Sequence, residues 1–154
     1  SVLDPAPLRI TVHEGFDWWL PPSEDGKVTP VGEVAAGLER ANASVIVICA
    51  ETDEEADRLA APLDLKLLLL EQGKFGRDVT FEEALSYPYT EYDRMRIRYN
   101  RKRMIVGSPE RVRESLLKFA ESYGVDEVIV NTITSDFASR VRSYELLAKL
   151  FAAG

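Results

Sequence analysis

The sequence is poor in the residues that most often carry covalent or metal chemistry. It holds one cysteine, Cys49, and one histidine, His13, in 154 residues. A single cysteine forms no intrachain disulfide, and such a composition suits a reducing compartment, so a cytoplasmic location is expected. With no second histidine, and the cysteine in an apolar run, no metal constellation is expected. Apolar runs are short: residues 43–50 (ASVIVICA) and 67–70 (LLLL) fall far below the about 20 residues that span a bilayer. The start, SVLDPAPLR, lacks a basic segment followed by an apolar one, so no export signal is expected. Positive charge is also scarce. Nineteen basic against 26 acidic residues give a net charge of −7, which argues against nucleic acid or an anionic membrane as the partner.

What is present reads as one α/β domain over residues 1–154, in two styles. Residues 1–43 are irregular and hold five of the eight prolines and both tryptophans. Within them residues 8–13 (LRITVH) alternate like a strand, WWLPPSEDGK carries turn signals, and a short helix is expected over 31–41. From residue 44 onward strand and helix signals alternate. SVIVICA (44–50) is a continuous β-branched run, the mark of a strand buried on both faces in a parallel sheet. Thr52 with Asp53, Glu54 and Glu55 opens a helix running to about Gln72, with Gly73 after it; Pro62 within it predicts a kink or a break. Thr80 and Thr90 open two further helices. Residues 104–106 form a short strand, and Pro109 to Tyr123 a helix with Val112, Leu116, Phe119 and Ala120 on one stripe. A last strand covers 126–133. Ser135 is expected to cap a final helix whose inner face carries Val141, Tyr144, Leu147, Ala148 and Phe151. This order demands a mostly parallel sheet with right-handed crossovers.

Five pieces, VIVICAETDEEADRLA, EEALSYPYTEYDR, MIVGSPERVRESL, YGVDEVIVNTIT and RVRSYELLAKLF, together resemble the carboxyl-terminal part of the bacterial-luciferase-like flavin-dependent monooxygenases, over residues 44–151. SVLD followed by Pro7 resembles that family's first strand. The resemblance implies a (β/α)8 barrel, with strand one at residues 1–6 and the last three strands from residue 44 onward. A complete barrel needs about 250 residues. The expected architecture is therefore a truncated or internally deleted partial barrel of four to five mostly parallel strands, with helices on its outer face. Strands six, seven, eight and one are expected side by side in that order. Residues 8–13 are a candidate fifth strand. The resemblance further implies a cofactor, FMN or the deazaflavin F420, and oxygen chemistry carried by that flavin. Three outcomes are open for a chain of this length: a fragment or shortened family member without a full catalytic site, an active reduced-flavin oxidoreductase completed by oligomerisation, or a non-catalytic self-associating scaffold or interaction domain. A homo-oligomer is expected in each.

Site candidates follow from position. Gly107 and Ser108 stand between a strand and a helix amino terminus, where free amides bind anions such as a cofactor phosphate; the same residues also read as an ordinary helix cap. Asn131, Thr132 and Thr134 lie at the carboxyl end of the last strand, the edge that lines barrel active sites, and read equally as strand-end polarity. No catalytic residue and no metal ligand is identified. His13, with Glu14 and Asp17 near it in sequence, is a candidate base or an ordinary strand-end histidine. Phe16, Trp18 and Trp19 form either an aromatic wall for a ligand or the cover of an apolar face. The basic run from Arg94 to Arg103 points several ways around a helix and is expected to meet acidic partners within the chain. Cys49 reads as a small buried hydrophobe.

Overall fold

The computed structural model describes residues 8–12, 42–74 and 78–151. His13, Phe16, Trp18, Trp19, the helix expected over 31–41 and the first strand expected over 1–6 lie outside the described residues. The described chain runs β1 (Arg9–Val12), β2 (Asn42–Cys49), α1 (Asp53–Glu71), α2 (Phe81–Ser86), α3 (Glu91–Arg101), β3 (Met104–Gly107), α4 (Pro109–Tyr123), β4 (Glu127–Asn131) and α5 (Phe137–Phe151). It is an α/β fold with a small all-parallel sheet. No helix among the described residues is long and apolar enough to cross a membrane.

The four strands lie in the order β1-β4-β2-β3. β2 is the longest and holds the others in place: its first half pairs with β4 (Asn42 with Glu127 through Ile46 with Asn131) and its second half with β3 (Ile46 with Met104 through Cys49 with Gly107). β1, which falls in the candidate fifth strand (8–13), sits beside β4, with Thr11 opposite Ile129. Two barrel expectations are corrected. The 104–107 strand lies at the edge instead of between β2 and β4, so the order is not that of barrel strands six, seven, eight and one. And helices cover both faces, not only an outer one.

Alternation along β2 shows why. Val45, Val47 and Cys49 point to one side, where they meet Ile105, Val128 and Val130 and pack on Val112, Leu116 and Ala120 of α4 and Leu146 and Leu147 of α5. Ile46, Ile48 and Ala50 belong to the other side, with Ala56, Leu59, Ala60 and Leu63 of α1, and with Met104 and Val106. A strand apolar on both faces needs a cover on both. α1 supplies the second cover. Beyond the sheet, Leu65, Leu68 and Leu69 of α1 form a third cluster with Val79 and with Ala84 of α2.

Helix ends follow their local chemistry, with three departures. Thr52, Thr80 and Thr90 each accept an amide hydrogen bond three residues on, and Thr90 with Asp93 completes a reciprocal capping box. Gly124 closes α4 in the left-handed region at φ 64°, where a side chain would be strained. α1 runs through Pro62 as one helix of 19 residues. Proline removes one hydrogen bond there, to the Arg58 carbonyl, yet buried Pro62 and Leu63 hold the helix against its neighbours,. Ser108 stands at the cap of α4 but its side chain makes no capping bond. The cap of α5 is Asp136, whose carboxylate accepts from the Ser139 amide at 2.7 Å, not Ser135. On α5 the buried stripe is Ser143, Leu146 and Leu147, with Tyr144, Leu150 and Phe151 partly buried, while Ala148 is exposed.

Candidate functional site

Because the strands are parallel, the loops after β2, β3 and β4 open at one edge, the position where α/β sheets bind ligands. All five candidate residues stand there, Gly107 and Ser108 on one side of β2 and Asn131, Thr132 and Thr134 on the other.

The Gly107–Ser108 turn is already filled by an anion from the chain itself. The Ser108 N–H donates to the Asp53 carboxylate at 2.7 Å, and the second Asp53 oxygen lies 3.6 Å from the Arg111 guanidinium. The Ser108 amide, then Arg111, hold the Asp53 carboxyl below the usual carboxylate range. Gly107 is needed for this close approach, since a Cβ there would meet Asp53 Oδ1 at 3.0 Å and Arg111 Cδ at 2.9 Å. The amide expected to receive a cofactor phosphate therefore receives Asp53. Asp53 is visible in the sequence as a first-turn acid of α1. Its partner is 55 residues away, so only the β2–β3 pairing brings them together.

Thr132 is likewise committed to structure. It is buried, its hydroxyl donates to the Val47 carbonyl at 2.6 Å, and its amide donates to the Tyr144 hydroxyl at 3.2 Å. Asn131 is buried at the end of β4. Thr134 donates to the Asp136 carbonyl at 2.7 Å. A buried residue not singled out by its position in the sequence, Ser143, accepts the Cys49 amide at 3.0 Å and so closes the end of β2. Burial, with Glu51 second, pushes the Cys49 thiol up to about 11, which leaves it an inert packing group.

Beside the end of β4 a groove of about 450 Å3 opens between α1 and the β4–α5 connection. Leu63, Phe81 and Ile133 supply apolar surface, Thr80, Thr134 and Ser135 supply hydroxyls, and Lys66 stands at its rim 4.0 Å from the fully exposed Asp78. The size suits a small molecule. The groove holds neither a histidine nor a thiol, and no cluster of His, Cys, Asp and Glu fit for a metal occurs among the described residues. Among the described residues its lining offers hydroxyls, the Lys66 ammonium and the Asp78 carboxylate.

The basic run of α3 meets acids of α1, as its setting in an acidic chain implied. Arg96 makes a two-pronged contact with Glu71 at 2.9 and 3.1 Å. Arg101 does the same with Asp64 at 2.8 Å on both arms and reaches Asp57 at 3.0 Å. Burial pushes the Asp64 carboxyl up while Arg101 pulls it down, and the acids hold the Arg101 guanidinium up. The two shifts oppose each other on whether the pair is charged. The bidentate geometry favours the ionic form, because both carboxylate oxygens accept from one planar fork.

Residues 1–56 match a family of unknown function (DUF5926). The chain is 44% identical over 108 residues to the uncharacterized protein YceB of Bacillus subtilis (strain 168), covering 70% of this chain and 33% of that protein. It is 44% identical over 120 residues to the uncharacterized protein YwcH of the same organism, covering 77% and 36%. Among solved structures, apo-MsnO8 superposes with a TM-score of 0.59 at 33% identity, over 73% of this chain and 34% of that one. The chain thus spans about a third of the length of the curated relatives it matches.

Proposed function

We propose that this chain is a fragment or shortened member of the luciferase-like flavin-dependent monooxygenases that forms one wall of a small-molecule site and has no complete catalytic centre of its own. The observation that carries this reading is the carboxyl edge of the sheet. It opens a groove of small-molecule size, yet its anion-binding turn is closed by Asp53 and its buried threonine is spent on Val47. The strand order does not add to this lineage: β4 lies beside β2 and β3 takes the edge, so the lineage rests on the five sequence pieces over residues 44–151.

Neither FMN nor F420 finds a phosphate seat at Gly107 and Ser108, because a carboxylate occupies the amide that would donate. No reaction step is assigned through a flavin. Further chain or a second copy would have to supply the missing wall. An edge strand such as β3 can pair with another chain, which favours self-association as the way to complete the site, although Lys102 and Arg103 directly before it place charge at that edge.

Titration of the isolated chain with FMN, followed by flavin absorbance and fluorescence, tests this. The expected result is no saturable change up to ~100 µM, an affinity weaker than about −5.5 kcal/mol. Saturable binding by the monomer that is lost in Ser108→Asp, which places a negative charge where phosphate would sit, would overturn it. Light scattering checks the assembly: a strict monomer at high concentration refutes completion by a second copy.

A further inference from the structure

Helix α3 carries Arg94, Arg98 and Arg101, spaced four and three residues apart and hence stacked along one side. Only Arg101 meets acid, from Asp64 and Asp57 of α1. Further along the same side, the facing residues are Ala61 of α1 and Ala84 of α2. Arg94 and Arg98 have no carboxylate partner among the described residues, in contrast to Arg96 and Arg101 on the same helix. Both line a groove of about 290 Å3 between α1, α2 and α3. Its floor is apolar, with Ala84 buried and Ile97 half-buried. Its wall is Tyr89, fixed by a hydrogen bond from its hydroxyl to the Ala84 carbonyl at 2.7 Å, with the Arg94 guanidinium 5.8 Å from its ring. Asp64, the acid in the groove, is taken up by Arg101.

We propose that this groove binds a small phosphate monoester, its phosphate held by Arg94 and Arg98 and its apolar part lying on Ala84 and Ile97 against Tyr89. Two guanidiniums left without an acid match a dianion better than a single carboxylate, and each offers a planar fork suited to phosphate oxygens. The volume sits at the lower limit of the roughly 300–1,000 Å3 usual for ligand sites, so the groove takes a one-ring or short-chain ester and is too small for a dinucleotide. It is separate from the groove beside β4.

The test follows the arginine side-chain N–H and backbone amide NMR signals of the whole chain during titration with phenyl phosphate, inorganic phosphate and benzoate. Phenyl phosphate is expected to shift the Arg94, Arg98 and Tyr89 signals saturably below ~10 mM, at least threefold more tightly than benzoate. Arg94→Gln/Arg98→Gln should weaken it at least tenfold, and Lys102→Gln by less than twofold. Both variants change exposed residues without ion pairs, and their dispersed spectra would confirm folding. Equal loss in the Lys102 variant means a general charge effect and overturns the proposal, as does the absence of saturation. Binding of inorganic phosphate as tight as that of phenyl phosphate would remove the apolar half of the site.

Discussion

Thr132 separates a structural reading of the carboxyl edge from a cofactor-binding one. Its hydroxyl donates to the Val47 carbonyl at 2.6 Å, and the residue is 1% exposed. Thr132→Val keeps the branched shape and removes the donor, leaving a buried carbonyl of the central strand without that partner. The expected cost is about 1–3 kcal/mol, a fall in Tm of roughly 2–12 °C for a chain of this size. Thr132→Ser keeps the donor and loses one methyl, at about 1 kcal/mol. Urea unfolding followed by circular dichroism reads both, with the slope m unchanged and the midpoint lowered more for valine than for serine. A valine variant as stable as the parent would refute the reasoning, as would a serine variant that loses more than the valine one.

Three other outcomes are expected. Asp53→Ala frees the Ser108 amide, so inorganic phosphate should shift that amide's NMR signal more strongly in the variant than in the parent; equal shifts would show that Asp53 does not block the turn. Ser143→Ala leaves the buried Cys49 N–H without its acceptor and should cost about 1–3 kcal/mol in urea unfolding, with an unchanged midpoint counting against the contact. With its thiol raised from 9.0 to about 11, Cys49 should be roughly one part in a thousand thiolate at pH 8 and resist a thiol reagent until urea is added. The unfolded chain ionises first as pH rises from 9 toward 11, so Cys49 should lower stability by roughly 1 kcal/mol per pH unit; Cys49→Ala should lessen that slope, and Tyr89, whose hydroxyl is also pushed up by burial, should keep a remainder of the same sign.

Much of the fold is legible locally. The β-branched run of β2, the threonine caps and the Pro109 and Gly124 ends of α4 each rest on a few neighbouring residues. Failures cluster where a choice depends on distant partners. Of the kink or break that Pro62 predicts, the break is absent, because packing keeps α1 continuous. Tyr144 and Ala148 suggested one inner stripe for α5, whereas the groove it fills selects Ser143 and Leu146, because a buried serine is favourable only where an orphan amide awaits it. Ser108 looked like a free anion site since nothing near it in sequence reveals Asp53.

By itself the sequence determined an α/β chain with a parallel sheet, because a strand with apolar residues on both faces must be covered on both and alternating elements need crossovers. The tertiary structure decided the rest: which strand takes the edge, that α1 covers the second face, and that Ser108, Thr132 and Thr134, expected to meet a ligand, meet other groups of the chain. The strand pairings and the Asp53 and Ser143 contacts join residues 55 or more apart, and local patterns carry no record of such distances.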